Sequence, residues 1–324
     1  MNKKIGDCFN MTETELYKTL LQKGVSDSYI KNIKQTLNMS EDPYKRYYDD
    51  IQEDKKTFAY VPVSKIKSLG DRGTVGLSWF NHACYNGTHN IDVFRCQRAF
   101  DYLKTQSLDE FHDYYKHHPV RLKYYEDDDF YVVFGDGTHR TLWAKVTGAS
   151  YIYARIYRAR KNHSTYESYR WFKELEVKFH EYLSSNELSL KGFRRNYSYR
   201  PDSTSEICYK GEYLGFYRIY SPDMFTDKTK LNMKTLHHWK LQQQDLKEEY
   251  VRVFKYRDKF HLLMKMMPNK WKGKIISFLE VWIDTIGSSD EKKQKQYDLR
   301  KMGFKMFCID RKLSLINKEK EQEV

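Results

Sequence analysis

The sequence predicts an α/β protein of the α+β type, and three observations lead to that class. Apolar runs of strand length alternate with amphipathic runs of helix length through the first half of the chain. Residues 192–220 contain three short β-rich runs separated by turn signals. The chain has 324 residues and is 40% hydrophobic. It is therefore long enough for a large core, and two or more domains are favoured over one.

The N-terminal segment, residues 1–55, is predicted to be a helical arm. In "MTETELYKTLLQKG", Thr12 is a candidate N-cap, Glu15 follows three residues later, and Gly24 is a stop signal. "SDSYIKNIKQTLN" has the spacing of a second amphipathic helix. The run "AYVPVSKI", residues 59–66, predicts a short strand at the start of the next domain.

Residues 56–163 are predicted to form a central domain. "NIDVFRCQRAFDYLK" and "SLDEFHDYYKHH" read as helices, the second with a capping box made by Ser107 and Glu110. The runs "PVRLKYY" and "FYVVF" predict two strands on either side of the acidic turn "EDDD". A Gly-Asp-Gly turn, a short helix and the strand "YIYARIYR" complete the domain.

Residues 164–324 are predicted to form an α+β C-terminal domain. It begins with the helix "STYESYRWFKELEVKFHEYLSS", capped by Ser164 or Thr165, and continues with an antiparallel meander that turns at a Lys-Gly pair. "LKEEYVRVFKYRDKFHLLMKMM" predicts an amphipathic helix that ends before Pro268. "GKIISFLEVWIDTI" predicts a buried helix, and "EKKQKQYDLRKMGFKMFCID" predicts a helix followed by a short strand.

Composition limits the class of partner. The net charge of +13 favours a polyanionic partner such as nucleic acid, although a lysine-rich and tyrosine-rich composition could also result from AT-rich coding. The five scattered cysteines fit reduced thiols, and no secretory signal is visible, so a cytoplasmic protein is expected. Apolar runs stay below the roughly 18 residues needed to cross a bilayer. We therefore expect no membrane partner.

The most informative stretch is "GDGTHR", residues 135–140, where a strand gives way to a helix. The first backbone N–H groups of a helix lack internal partners and attract anions, most often phosphate. Gly137 allows a close approach, and Thr138, His139 and Arg140 add side-chain donors. Asp136 could orient His139, hold a metal ion or cap the helix. The alternative is a tight turn whose Asp caps the helix and whose His and Arg are solvated.

This stretch resembles the ParB/sulfiredoxin superfamily. Partition proteins of that group carry a strand, then Gly-Glu-Arg-Arg, a helix containing Ala, a Gly eleven residues after the first, and another strand. Sulfiredoxins carry Gly-Cys-His-Arg, and other relatives carry Asp-Gly-x-His-Arg. The matching residues here are Gly137, Thr138, His139, Arg140, Ala144 and Gly148. Upstream, "VPVSKI" is similar to the first strand motif of the family, so that the resemblance covers roughly residues 56–160.

The resemblance implies a nucleotide-binding domain whose ligand is an NTP, with ATP and CTP as candidates and Mg²⁺ left open. The phosphate-binding residues would be Gly137 to Arg140, joined by Ser64 and Lys65 of the first strand motif. Asp136 and His139 would be the catalytic residues. Thr138 replaces the nucleophilic Cys of sulfiredoxin, which argues against sulfinic-acid repair. Ser64-Lys65 stands where a serine-phosphorylating branch carries a carboxylate, and no helix-turn-helix follows residue 160.

A second basic segment, "LKGFRRNYSYRPD" (190–202), interleaves cations with aromatic rings. Basic groups can follow phosphates while rings stack on bases. The candidate nucleic-acid-binding residues are Lys191, Arg194, Arg195, Tyr197, Tyr199 and Arg200. The alternative is an edge strand that its charges keep soluble.

The leading hypothesis from the sequence is a nucleotide-binding protein, with NTP hydrolysis left open, that acts on or near DNA. The family's distribution implies a plasmid, phage or defence context. One alternative is a non-catalytic nucleic-acid-binding protein with a degenerate nucleotide pocket. Another is a phosphotransferase acting on a small molecule or a protein. A homodimer is compatible with all three hypotheses.

Overall fold

The protein folds into two compact units, and the boundary along the chain lies between Tyr166 and Glu167. The computed structural model describes residues 11–52, 57–84, 90–191, 204–285, 287 and 289–322. Each unit combines helices with its own sheet, which confirms the predicted mixture of α and β structure.

The first unit contains helices α1 to α7 and strands β1 to β6. The helices are α1 (Glu13–Gln22), α2 (Asp27–Gln35), α3 (Asp42–Lys45), α4 (Trp79–Ala83), α5 (Val93–Thr105), α6 (Leu108–His117) and α7 (Thr138–Val146). The strands are β1 (Tyr48–Asp50), β2 (Thr57–Pro62), β3 (Ile66–Ser68), β4 (Val120–Tyr125), β5 (Phe130–Val133) and β6 (Tyr151–Lys161). Short 3₁₀ turns lie at Val63–Lys65, Gly70–Arg72 and Glu126–Asp128.

The six strands form one mixed sheet with the order β1-β6-β4-β5-β3, and β2 also pairs with β6. The hairpin β4–β5 is antiparallel, whereas β6 runs parallel to β4 and β3 runs parallel to β5. Helix α7 crosses over β4 to connect the end of β5 to the start of β6, two strands that lie on either side of β4 and run in opposite directions. The Gly-Asp-Gly turn lies where β5 ends and this crossover begins.

One face of the sheet is buried against the helices. Val120 and Leu122 of β4 and Ile152 and Ala154 of β6 are almost fully buried in one continuous core. Helices α1 and α2 contribute to the same core through Leu16, Leu20, Ile30 and Ile33. The described part of the segment predicted as a separate arm therefore belongs to the first unit.

Local capping signals set several helix ends. The Thr12 side chain accepts from the Glu15 amide at 3.1 Å, and Ser107 and Glu110 form a complete capping box. Both predictions are confirmed. The start of α8 (His163–Ser185) was predicted too late, because Asn162 caps it instead of Ser164 or Thr165. Asn is as good an N-cap as Ser or Thr, so that capping chemistry alone does not separate adjacent candidates.

The second unit holds most of α8, the strands β7 (Leu188–Lys191), β8 (Thr204–Tyr209) and β9 (Glu212–Arg218), and three further helices. The helices are α9 (Met233–Met266), α10 (Asn269–Thr285) and α11 (Glu291–Gln322). The three strands pair as an antiparallel sheet, and β8 and β9 turn at Lys210 and Gly211 as predicted, with positive φ at both residues. The first strand of this sheet, β7, precedes the run that was predicted as the first strand of the meander. The run "GFRRNYSYR" lies outside the described residues. Within the described ranges, helices with the length and apolarity of a membrane span are absent.

Two predictions for the C-terminal helices need correction. The segment predicted as a helix and a short strand is one continuous helix, α11, because Phe304 and Phe307 lie three residues apart and both are buried. Residues 273–285 are helical as expected, but part of their apolar surface is exposed. Ile276 is buried in α10, whereas Phe278 and Val281 face outward.

Gly303 sets the approach of α11 to α9. A Cβ atom at this position would lie 2.6 Å from Cβ of Tyr256 and 2.9 Å from the carbonyl oxygen of Val253. Gly→Ala in an exposed helix normally stabilises by about 1 kcal/mol. Here we expect Gly303→Ala to destabilise the second unit by about 1–3 kcal/mol, because overpacking forces the helices apart.

This expectation can be checked by pulsed thiol labelling in urea, read by mass spectrometry. Cys208 is buried in the second unit and Cys96 is buried in the first, so that each reports on its own unit. The matched control is Gly273→Ala in α10, where an added Cβ meets nothing within 4 Å. A labelling midpoint at Cys208 that stays the same or rises in Gly303→Ala would contradict the tight helix contact.

Candidate functional site

The turn between β5 and α7 is built around two glycines with positive φ, Gly135 (81°) and Gly137 (100°). Gly137 also lies against β4, where a Cβ atom would come within 2.4 Å of Cβ of Val120. Only glycine fits both the backbone conformation and the space. The first turn of α7 is thereby held directly above the start of β4.

The N-terminus of α7 presents several hydrogen-bond donors without acceptors. Gly137 is the N-cap and supplies no side chain, and the first amide bonded back to it is that of Thr141, at 2.8 Å. The amides of Thr138, His139 and Arg140 find no acceptor among the described residues. The Thr138 side chain is 4% exposed and also has no hydrogen-bond partner in the described ranges. These groups together form an anion-binding arrangement.

These donors open into a cavity of about 730 Å³. Its walls are α5, α6, the first turn of α7 and the 3₁₀ turn that ends at Arg72. The charged lining residues are Arg72, Arg95, Arg98, Glu110, Asp136 and Arg140, and the aromatic lining residues are Tyr102, Phe111, Tyr114, Tyr115 and Trp143. A volume of this size is typical of small-molecule sites.

Arg140 is more strongly bound within the protein than the sequence suggested. Its Nη1 donates to the carbonyl oxygens of His118 and Pro119, both at 2.9 Å, and its Nη2 donates to Oδ2 of Asp136 at 2.9 Å. Three of its five N–H groups are therefore used to join the end of α6 to the Gly-Asp-Gly turn. The Nε–H group and one Nη2–H group remain for a ligand.

Asp136 does not orient His139. Its carboxylate accepts from the Gly137 amide at 2.8 Å and from Arg140. His139 is fixed instead by α5, since its Nε2 accepts from the Asp92 amide at 3.0 Å. Burial, and secondarily the charge of Arg95, lower the pKa of His139. The imidazole is therefore neutral near pH 7 and carries its proton on Nδ1.

The remaining arginines make the cavity positive. Arg95 lies 3.6 Å from Asp92, whereas Arg72 and Arg98 have no hydrogen bond or ion pair within the described part of the chain. The carboxylate of Glu110 accepts from the Ser107 amide, a contact that lowers the pKa of Glu110 and keeps it at the α6 N-cap. Four arginines thus face two carboxylates, both of which are already bonded within the protein.

Sequence reasoning missed most of this lining. Arg95, Arg98 and Tyr102 lie on one face of α5 because they are spaced three and four residues apart. That spacing was present in "RCQRAFDY". A basic and aromatic stripe on the polar side of an amphipathic helix is the signal that could have located it.

Ser64 and Lys65 do not belong to this cavity. The Lys65 ammonium bonds Asp129 at 2.6 Å, near the start of β5, whereas the Gly-Asp-Gly turn follows the other end of that strand. Ser64 is exposed, and neither residue lines the cavity. The parallel register of β3 and β5 pairs Ile66 with Tyr131. It therefore places Lys65, the preceding residue, near the start of β5 and away from the cavity.

Of the predicted nucleic-acid-binding residues, Lys191 is the exposed last residue of β7. The others, Arg194, Arg195, Tyr197, Tyr199 and Arg200, lie outside the described residues. His, Cys, Asp and Glu side chains in the described ranges do not gather into a group of three that could hold a metal ion.

The cavity places amide and guanidinium donors beside the flat surfaces of aromatic side chains, which are the groups that attract phosphates and stack on rings, respectively. Comparison of the chain with protein-family models, with curated proteins and with solved structures found no match.

Proposed function

We propose that this protein binds a nucleoside triphosphate in the cavity at the N-terminus of α7. The observation that carries the proposal is the convergence of uncapped helix amides with Arg72, Arg95 and Arg98 around one cavity of about 730 Å³. Each of these features attracts phosphate, and together they provide donors for more than one phosphate group.

The phosphates would be distributed over two groups of donors. The amides of Thr138 and His139 and the neutral Nδ1–H of His139 bind one phosphate at the helix dipole. Arg95 and Arg98, on one face of α5, bind the next phosphates, because guanidinium groups match phosphate oxygens bidentately. Arg140 contributes by holding the turn in place through Asp136.

The nucleoside would lie against the aromatic residues. Tyr102 on α5 and Tyr114 on α6 are exposed rings that line the same cavity. Exposed tyrosines beside a cationic site offer faces on which a base can stack. This feature favours a nucleotide over inorganic phosphate or another small anion.

The contacts support binding more than turnover. The two residues predicted as catalytic, Asp136 and His139, both have partners within the protein, Arg140 and the Asp92 amide. Mg²⁺ would be carried mainly by the phosphate oxygens, as is common for this ion. We propose the non-hydrolysing form of the leading hypothesis, with the phosphotransferase alternative distinguished by phosphate-release assays.

The order of elements supports the proposed relationship to the ParB/sulfiredoxin superfamily. A strand and a short turn (57–65) are followed by β3, helices α4 to α6 and the β4–β5 hairpin, and then by the Gly-Asp-Gly turn, α7 and β6, so that the strand, glycine turn, helix and strand of the resemblance occur in the same order. We propose on this basis that the first unit is a nucleotide-responsive domain and that its context involves DNA.

Arg98→Ala is expected to weaken nucleotide binding tenfold to about a hundredfold, since removing a charge-assisted hydrogen bond costs about 1.5–3 kcal/mol. Isothermal titration with ATP, CTP and GTP, each with and without Mg²⁺, measures the change. The matched control is Lys104→Ala, which removes a charge from the same helix. Lys104 bonds Glu15 at 2.8 Å and does not line the cavity.

Equal affinity for wild type and Arg98→Ala, or equal losses in Arg98→Ala and Lys104→Ala, would reject the cavity as the phosphate site. Phosphate release by the wild type is followed in the same buffers. If the wild type releases phosphate and Asp136→Asn does not, an enzyme is favoured over the binding function proposed here.

A further inference from the structure

The sheet of the first unit has a second face, opposite the helix-covered one, that is exposed over β2, the first part of β6 and the start of β4, whereas Lys123 and Val132 on the same side are buried. Side chains alternate across a sheet, so the neighbours of the buried Ile152 and Ala154 point to this side. Nine residues on it form what we call the open face. They are Phe58 and Tyr60 on β2, Arg121 and Lys123 on β4, Phe134 after β5, and Tyr151, Tyr153, Arg155 and Tyr157 on β6.

The aromatic rings of the open face form two groups. Tyr153 contacts Phe58 and Tyr60, with ring centroids 5.8 Å and 5.2 Å apart, and Phe134 contacts Tyr157 at 5.0 Å. Phe58, Tyr60, Phe134 and Tyr151 are between 41% and 57% exposed. So many exposed rings on one surface are unusual for a side that faces only water.

Cations lie between the two aromatic groups. The strand register places Arg121 directly beside Arg155, and the Arg155 guanidinium lies 4.8 Å from the centre of the Tyr157 ring. The Lys123 ammonium lies 4.7 Å from the centre of the Phe134 ring and is paired with Asp50 at 2.9 Å. Adjacent arginines, with one lysine neutralised, leave the centre of the open face positive.

We propose that the open face binds single-stranded nucleic acid. Phosphates would lie on Arg121 and Arg155, and unpaired bases would stack on the exposed rings to either side. Interleaved rings and cations on a sheet surface suit a single strand, because bases in a duplex are already stacked and their faces are not accessible. The net charge of +13 fits a polyanionic partner. This inference concerns a different surface from the nucleotide cavity and does not depend on it.

The test is fluorescence anisotropy of the full chain with labelled 20-nucleotide single strands of DNA and RNA, in mixed sequence, at several salt concentrations. Tyr60→Ala/Tyr151→Ala is expected to weaken binding at least tenfold. The matched control, Phe94→Ala/Trp271→Ala, removes two similarly exposed rings from helices and should bind like the wild type. Thiol labelling of Cys96 checks that the first unit stays folded.

A second variant separates charge from stacking. The slope of log K against log salt is negative, and each phosphate neutralised on a single strand contributes about −0.7 to it. Arg121→Ala/Arg155→Ala should therefore make the slope less steep by roughly 1.4. The ring variant should leave that slope nearly unchanged. Loss of affinity in the ring variant together with loss of slope in the arginine variant supports the proposal.

Four results would overturn it. The wild type could fail to bind either single strand at low salt, or both variants could bind like the wild type, which would place any binding elsewhere on the chain. The wild type could bind duplex as tightly as single strands, which would show general attraction by charge. Finally, sedimentation could show a dimer that the ring variant abolishes, which would assign the open face to a second copy of the chain.

Discussion

Gly137→Ala is expected to destabilise the first unit by about 2–5 kcal/mol and to abolish the proposed nucleotide binding. The φ of 100° costs a residue with a Cβ about 1–2 kcal/mol. The added atom would also overlap Val120, and overpacking of this kind costs about 1–3 kcal/mol more. Relief of the overlap requires α7 to move away from β4, and the helix amides move with it.

Gly135→Ala is the matched control for this substitution. Gly135 has a similar φ of 81°, but an added Cβ meets nothing within 4 Å. The Gly135→Ala variant should lose only about 1–2 kcal/mol of folding stability and keep most of its affinity for nucleotide. Urea midpoints from Cys96 labelling and titration of both variants give the comparison. Equal losses of stability in the two variants would show that contact with Val120 is not tight.

Lys145→Met is expected to stabilise the first unit at neutral pH by about 1–3 kcal/mol. Lys145 is 5% exposed, donates to the carbonyl oxygen of Ile66, and lies 4.4 Å from the centre of the Trp79 ring. Burial, with a smaller contribution from Lys67, lowers the pKa of Lys145 to about 7. At pH 7, lowering the pKa of Lys145 from the usual 10.5 to about 7 costs about 4 kcal/mol of folding free energy. Loss of the bond to Ile66 offsets about 1–3 kcal/mol of the gain.

The pH dependence provides a second measurement. Between pH 7 and 10.5 the unfolded chain protonates Lys145 while the folded chain does not, so that stability rises with pH by up to about 1.4 kcal/mol per unit. We expect this rise in the wild type between pH 7 and 9 and a smaller one in Lys145→Met. Urea midpoints at Cys96 for both proteins at pH 7, 8 and 9 measure it. Parallel curves would show that Lys145 titrates at an ordinary pKa.

The sequence predicted those parts of the fold that depend on neighbouring residues. The capping box of Ser107 and Glu110 and the turn at Lys210 and Gly211 are set by groups within a few residues. The prediction of a short strand near the C-terminus was wrong, because contacts with residues distant in the sequence determine that this segment is helical. Gly303 and its apolar neighbours pack on α9 about 50 positions earlier in the chain, and only a helix places them on one face.

The site shows the same division. The donors at Gly137 to Arg140 could be inferred because a strand, a glycine turn and a helix follow one another directly. Most of their bonding could not, because His139 and two of the three hydrogen bonds of Arg140 involve backbone groups at positions 92, 118 and 119. Lys65 was assigned to the cavity on resemblance alone, and strand register placed it at the opposite end of β5.

The identity of the cations in the cavity bears on the origin of the protein's basic charge. The chain has 39 lysines and 18 arginines, as expected of a gene rich in A and T, where codons for lysine are abundant. Among the described residues that line the cavity, however, the cations are four arginines, with no lysine. Mutational bias towards lysine would give the opposite ratio. The guanidinium groups at this site are therefore better explained by selection for their planar geometry than by drift in base composition.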